Sequence, residues 1–161
     1  MTPEEYNKSV YDYSDRLYRF ILKNIKDKDK ANDIIQDTYE KLWLKAETVS
    51  NEKVKSYLFT TAYHTMIDTM RYDKRNADLE EIDAEDQVNE QTYTGLQEIL
   101  HEAVSKLPEV QRSVVLLRDY EGYSYEEIAQ ITGLSESQVK VYIFRGRIFL
   151  KNYIGSLEKV I

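Results

Sequence analysis

Apolar residues recur at helical spacing along most of the chain. Val10, Tyr13, Leu17, Ile21 and Ile25 fall every three or four positions, which is one face of a helix. Thr2-Pro3-Glu4-Glu5 reads as its start: threonine can cap, proline suits the first helical position, and Glu5 stands three residues after Thr2 as in a capping box. Lys26-Asp27-Lys28-Asp29 reads as a charged turn. A second helix carries Ala31, Ile34, Ile35, Thr38, Leu42 and Ala46. Residues 47–53 have no period and read as a loop. A third helix carries Val54, Leu58, Ala62, Met66 and Met70 and ends in Arg71-Tyr72-Asp73-Lys74-Arg75. Three amphipathic helices can close a small bundle.

The pattern stops at 76–94 and restarts with Leu96, Ile99, Leu100, Ala103 and Leu107. Pro108-Glu109 opens a helix with Val110, Val114, Leu117 and Tyr120, and Gly122 suits its cap. Ser124 with Glu127, and Ser135 with Gln138, have capping-box spacing. Ile128, Ala129 and Ile131 lie between them, then Gly133. Val139, Tyr142, Ile143, Phe149, Leu150 and Tyr153 mark the last helix. The predicted fold is all-α, with two small helical domains at 1–76 and 95–161 joined by a linker at 77–94.

Charge sharpens this division. The net charge is −7. Asp78, Glu80, Glu81, Asp83, Glu85, Asp86 and Glu90 carry all of it, with no base among them. That acidic stretch, poor in apolar residues, reads as a flexible linker, or as a phosphate mimic screening a basic surface. The last helix is net basic through Lys140, Arg145, Arg147, Lys151 and Lys159. Local potential, rather than the total, attracts phosphates. The chain has no Cys, which removes disulfides and thiol chemistry and fits a reducing cytoplasm. An acidic start without an apolar core predicts no signal peptide, and no apolar run approaches the roughly 20 residues of a membrane span.

Residues 125–142 carry the strongest local pattern. A short helix turning into a second needs a small residue at the contact and positive φ at the turn; Ala129 and Gly133 supply them. This is a helix-turn-helix pattern. Its second helix presents Ser137, Gln138, Lys140, Val141, Phe144, Arg145 and Arg147 on or near one outward side. Ser and Gln can bond base edges, Arg and Lys can reach guanine or phosphate, and Val or Phe can meet a thymine methyl. The alternative is a helix pair with a basic solvent face. In the third helix Tyr57, Phe59, Tyr63 and Tyr72 interleave with Lys53, Lys55, Arg71, Lys74 and Arg75, the mixture a single-strand platform uses, although such aromatics also build cores. In the second helix Asp33, Gln36, Asp37 and Glu40 share a face, readable as a solvated surface or as a polar docking stripe beside Trp43. Asp33 with Asp37, and His64 with Asp68, have spacing that could hold a metal. With two histidines in the chain and no phosphate loop, nucleophile motif or zinc-helix motif, we expect no enzyme, catalytic residue, metal or cofactor.

Taken together, these residues resemble bacterial sigma-70 family RNA polymerase sigma factors of the extracytoplasmic-function group. Asp33-x-x-Gln36-Asp37-x-Tyr39-x-x-x-Trp43 is similar to their polymerase-docking helix, and Lys55-Ser56-Tyr57-Leu58-Phe59-Thr60 to their promoter-melting segment. Leu107-Pro108-Glu109, the stretch 116–129, Val139-Lys140 and Phe144-Arg145 resemble their C-terminal helix-turn-helix domain. The resemblance implies an alternative sigma factor that binds core RNA polymerase and directs it to promoter DNA. Asp33, Gln36, Asp37 and Trp43 would face the polymerase. Lys53, Lys55, Tyr57, Tyr63 and His64 would hold unpaired −10 DNA, and Arg71, Lys74 and Arg75 would lie on adjacent phosphates. Lys140, Val141, Phe144 and Arg145 would read the −35 element, with Ser137 and Gln138 beside them and Arg147 on phosphate. The chain departs from the family at Tyr63-His64, where Arg-Asn is usual, and at Tyr57, where Trp is usual. The absence of cysteine leads us to expect a cytoplasmic protein, and the resemblance makes an anti-sigma partner plausible. A stand-alone helix-turn-helix regulator and a sigma-like decoy for a regulatory protein remain the alternatives.

Overall fold

A computed structural model describes residues 1–79 and 95–158. These residues form seven α-helices with no strand among them. Helix α1 is Pro3–Ile25. Its predicted capping box is complete: Thr2 Oγ1 accepts from Glu5 N–H at 3.1 Å and Glu5 Oε1 accepts from Thr2 N–H at 2.9 Å. Lys26 ends the helix in a left-handed conformation, φ 57°. Asp27 immediately caps α2, Lys28–Leu44, accepting from Asp29 and Lys30 N–H. The predicted charged turn is therefore two caps back to back. A 3-10 turn, Asn51–Lys53, leads into α3, Val54–Leu79.

Helices α1, α2 and α3 pack together as the first bundle. Leu17, Ile21, Leu42, Leu58, Ala62 and Met66 are fully buried. Val10, at the edge of the predicted stripe, stays 36% exposed. Tyr39 is bolted into the core: its Oη donates to Ser9 O at 2.9 Å, and Tyr6 Oη donates to Tyr39 O at 3.1 Å. Thr38 is buried because its hydroxyl donates back to Ile34 O at 2.7 Å, which satisfies the polar atom within the helix. Helix α3 runs to Leu79, three residues past the predicted end of the first domain. Once a helix is nucleated, each added residue costs little. The proposed acidic screen lies mainly at 80–94, outside the described residues.

The second bundle comprises α4, Leu96–Lys106; α5, Glu109–Val115, continued by a π-helical turn Leu116–Tyr120; α6, Tyr125–Thr132; and α7, Glu136–Glu158. Gly133 takes φ 78° between α6 and α7, a conformation that costs a residue without Cβ little. Ser135 and Gln138 close a reciprocal capping box at 3.0 and 3.1 Å. Val114, Leu117, Ile128, Ile131 and Val139 are fully buried beneath this helix-turn-helix. At Gly146, α7 comes so near α5 that a Cβ would stand 2.8 Å from Val115 Cγ2.

The two bundles pack directly on each other. Phe59 stands between Phe20 of its own bundle and Tyr123 of the other, with ring centroids 5.8 and 5.4 Å away. Arg16 pairs with Glu121 at 2.8 Å. Asn24 Oδ1 accepts from Arg112 Nε at 3.2 Å and from Ser113 Oγ at 3.0 Å, while its Nδ2 donates to Phe20 O at 2.8 Å. Arg112 also donates to Ser105 O and Leu107 O. Burial pulls its guanidinium below the usual value, with nearby Glu109 opposing the shift.

Candidate nucleic-acid interface

Three surfaces carry the residues singled out in the sequence. On α2, Asp33 and Gln36 are exposed, whereas Asp37 is half-buried and pairs with Lys41 at 3.2 Å. Trp43 is 56% exposed and rests edge-on against Tyr6, with ring centroids 5.2 Å apart. Half of its surface is thus free while the ring is held in place. The core side of α2 is occupied by Ile34, Thr38 and Leu42, so helical period separates the polar stripe from the core.

On α3 the predicted residues divide. His64, Arg71, Lys74 and Arg75 are exposed, as is Lys53 in the 3-10 turn before the helix, and Lys55 and Tyr57 are half-buried. Tyr63 is only 6% exposed, and burial raises its hydroxyl pKa. It belongs to the core cluster, so in this arrangement its ring cannot stack on a base. Lys55 Nζ lies 4.7 Å from the centre of the Tyr123 ring of the second bundle, and desolvation lowers its pKa. Tyr57 and His64 face a groove of about 470 Å³ between α2 and α3, shared with Lys41, Lys45, Thr60 and Thr61. Of these, Lys41, Lys45 and Thr61 were not singled out for this surface in the sequence, whereas Thr60 closes the segment 55–60 quoted there. The signal was present on α3, because 57, 60, 61 and 64 share one helical face. Arg71, Lys74 and Arg75 line a second groove with Asp68, about 580 Å³.

On α7, Ser137, Gln138, Lys140, Val141, Phe144, Arg145 and Arg147 are all exposed. They are not equally free. Gln138 spends its side-chain oxygen on the cap. Lys140 lies 3.7 Å from Glu136 and 5.5 Å from the Tyr125 ring centre. Arg147 forms a two-point bond with Asp119, Nη2 to Oδ1 at 2.6 Å and Nε to Oδ2 at 3.2 Å, and that bond raises its pKa. Arg118 also stacks on Tyr125, 4.5 Å from the ring centre. Ile148, which the sequence reading left out, extends the outward apolar row of Val141 and Phe144.

Comparison with known proteins fits this geometry. Residues 10–76 match the family model "Sigma-70 region 2" and residues 97–150 match "Sigma-70, region 4". The chain is 34% identical over 139 residues to the RNA polymerase sigma factor SigV of Bacillus subtilis, covering 84% of this chain and 82% of that protein. The chain belongs to the sigma-70 family. Its relatives place it in the extracytoplasmic-function group: the ECF sigma factor SigM of B. subtilis is 30% identical over 148 residues, 86% of this chain and 88% of that one. The fold agrees with that of a sigma factor RpoE solved with the anti-sigma factor NepR from Bartonella quintana (TM-score 0.79, 24% identity, 94% of this chain and 98% of that chain).

This sigma-70 factor is thus an alternative sigma factor that combines with core RNA polymerase and directs promoter-specific initiation. Neither the stand-alone regulator nor the decoy is favoured. Sigma factors are DNA-binding regulators. Among the described residues no helix is long and apolar enough to cross a membrane, and no group of three or more His, Cys, Asp or Glu could hold a metal.

Proposed function

We propose that the three surfaces divide the work of initiation. The α2 face of Asp33, Gln36, Asp37 and Trp43 docks on core polymerase. Lys53 of the 3-10 turn with the α3 residues Lys55, Tyr57 and His64 holds unpaired −10 DNA, with Arg71, Lys74 and Arg75 on neighbouring phosphates. The outward side of α7 reads duplex −35 DNA. Extruding a base from the duplex costs a few kcal/mol. Stacking at ~1–3 kcal/mol per base offsets that cost. Polymerase holds both bundles at fixed spacing and so raises the effective concentration of the second contact.

One observation carries this reading: α7 leaves the Gly133 turn with Val141, Phe144 and Arg145 all facing outward and exposed. A helix serving only as bundle packing has no use for an exposed phenylalanine beside an arginine that has no ion-pair partner among the described residues. We infer further that the protein works in the cytoplasm, without a catalytic site, metal or cofactor of its own, and that an anti-sigma partner restrains it. Run-off transcription with core polymerase on randomised promoters tests the function. Enrichment of templates with two separated elements is expected. Arg145→Ala should cost roughly 1–3 kcal/mol on the best promoter and relax preference at one position. Equal loss on every template would reduce Arg145 to a phosphate contact.

A further inference from the structure

Arg16, Arg19 and Lys23 fall at i, i+3 and i+7 of α1, so one helical face carries three cations. That face is turned toward the second bundle. With Phe20 it meets Leu116, Tyr120 and Glu121 of the π-helical turn and its cap around a cavity of about 100 Å³. A water molecule's share of liquid volume is about 30 Å³, so the cavity has room for one tetrahedral oxyanion and little more. Its lining is unevenly charged. Glu121 is the one carboxylate among the lining residues, and it is committed to Arg16 at 2.8 Å with only 10% of its side chain exposed. Arg19 turns Nε to Asp15 at 3.2 Å, but that pair lies in solvent, where such pairs contribute little. Lys23 makes no hydrogen bond or ion pair among the described residues; its Nζ stands 4.1 Å from the centre of the Tyr120 ring. Partial burial and then Arg19 hold its pKa below the ordinary lysine value, with Glu121 opposing. A half-buried ammonium with three donors and no acceptor carries an unrecovered desolvation cost. An anion in the cavity removes that cost.

We propose that this cavity is a site for a small oxyanion of the phosphate class, held by Lys23 and Arg19 in the field of Arg16, and that the bound anion ties the two bundles together. Guanidinium and ammonium groups bind phosphate oxygens by charge-assisted hydrogen bonds. The cations come from α1, and the opposite wall, Leu116, Tyr120 and Glu121, comes from the second bundle. The site is therefore complete only while the bundles are packed, and an anion that fills it stabilises the packed arrangement by mass action. The source of the anion is free phosphate or the terminal phosphate of a small ester; a duplex backbone is too wide for the cavity.

The test uses the full chain at constant ionic strength, with inorganic phosphate exchanged for chloride. Calorimetry should show one saturable site, and the melting temperature should rise with phosphate. Lys23→Gln removes the ammonium and should weaken phosphate binding about tenfold, the equivalent of one hydrogen bond to a charged group. Lys23→Arg keeps a cation there and should retain binding, which separates lost charge from lost fold. Lys8→Gln makes the same charge change as Lys23→Gln at an exposed position of α1 and should leave phosphate affinity unchanged. Hydrogen exchange should slow both in α1 and in 116–121 when phosphate binds. Adenosine monophosphate in place of phosphate distinguishes the sources: tighter binding names a phosphate ester, weaker binding the free ion. Equal affinity of the wild-type and Lys23→Gln proteins would overturn the site, as would a response to phosphate no larger than that to chloride. Protection confined to α1 would overturn the tie between the bundles. Promoter-specific run-off tests the functional reading separately and stands or falls without this site.

Discussion

Gly146→Ala should change the sign of its effect with the size of its neighbour. Replacing glycine by alanine inside a helix normally stabilises by about 1 kcal/mol. Here the new Cβ would lie 2.8 Å from Val115 Cγ2, with Gln111 Cβ at 3.7 Å. Comfortable carbon contacts begin near 3.5 Å, so the overlap is on the order of 0.7 Å. Val115 is 1% exposed and sits in α5, and a β-branched side chain in a helix has one strongly preferred rotamer. It cannot rotate aside, so α5 and α7 must separate. Overpacking of this kind costs typically ~1–3 kcal/mol. Set against the propensity gain, Gly146→Ala should destabilise by roughly 0–2 kcal/mol. Val115→Ala removes the colliding methyl, and in that background the same substitution should stabilise by about 1 kcal/mol. Urea melts of the four proteins measure the coupling, expected at ~1–3 kcal/mol. The same sign in both backgrounds would refute the argument that α7 is held at its distance by contact between Gly146 and Val115.

Other expectations follow from single contacts. Asp37→Lys replaces the acid that pairs with Lys41 on the exposed side of α2; it should abolish co-purification with core polymerase while leaving the melting temperature within a few degrees, and unchanged co-purification would remove Asp37 from that interface. Arg147→Ala should leave the salt slope of promoter binding unchanged because Asp119 engages the guanidinium; a slope reduced by about 0.9 would make Arg147 a phosphate contact after all. Desolvation and then Lys23 depress the His101 pKa. The folded protein thus resists protonation more than the unfolded chain, and this contribution is complete above the unfolded value near 6.5 and declines as pH falls below it. His101→Gln should flatten the stability profile between pH 7.5 and 5.5 relative to wild type, and superimposable profiles would show that His101 takes no part.

Features set by local chemistry were readable from the chain. The boxes Thr2–Glu5 and Ser135–Gln138 depend on residues three apart, and both formed as spaced. Leu17 and Ile21 lie at the middle of their predicted stripe and are fully buried. The family resemblance was equally legible because its motifs are short and local. What escaped was set by distant partners. The π-helical turn closes with Glu121 N–H on Leu116 O at 3.1 Å, and no periodicity announces it. Arg112 meets Asn24 across 88 positions of sequence, so nothing nearby foretold two bundles packed together instead of merely tethered. Tyr63 was offered as a −10 DNA residue on the aromatic and basic mixture of the third helix and on the family resemblance; its helical position turns it inward, on the side of Ala62 and Met66. The assignments of side chains to polymerase and DNA rest on exposure and chemistry, which the sequence could supply only in part.

The Arg112 cluster has a consequence for how the bundles come apart. Among the described residues, each acceptor of that guanidinium is an amide or peptide oxygen: Asn24 Oδ1, Ser105 O and Leu107 O. None of these loses its charge on acidification, because none carries one. A cation buried among neutral oxygens regains full hydration once exposed, which offsets part of the penalty for uncovering Phe59 and Tyr123. The Arg112 cluster therefore holds no acid-sensitive acceptor, and a competitor can undo it by offering the arginine a carboxylate.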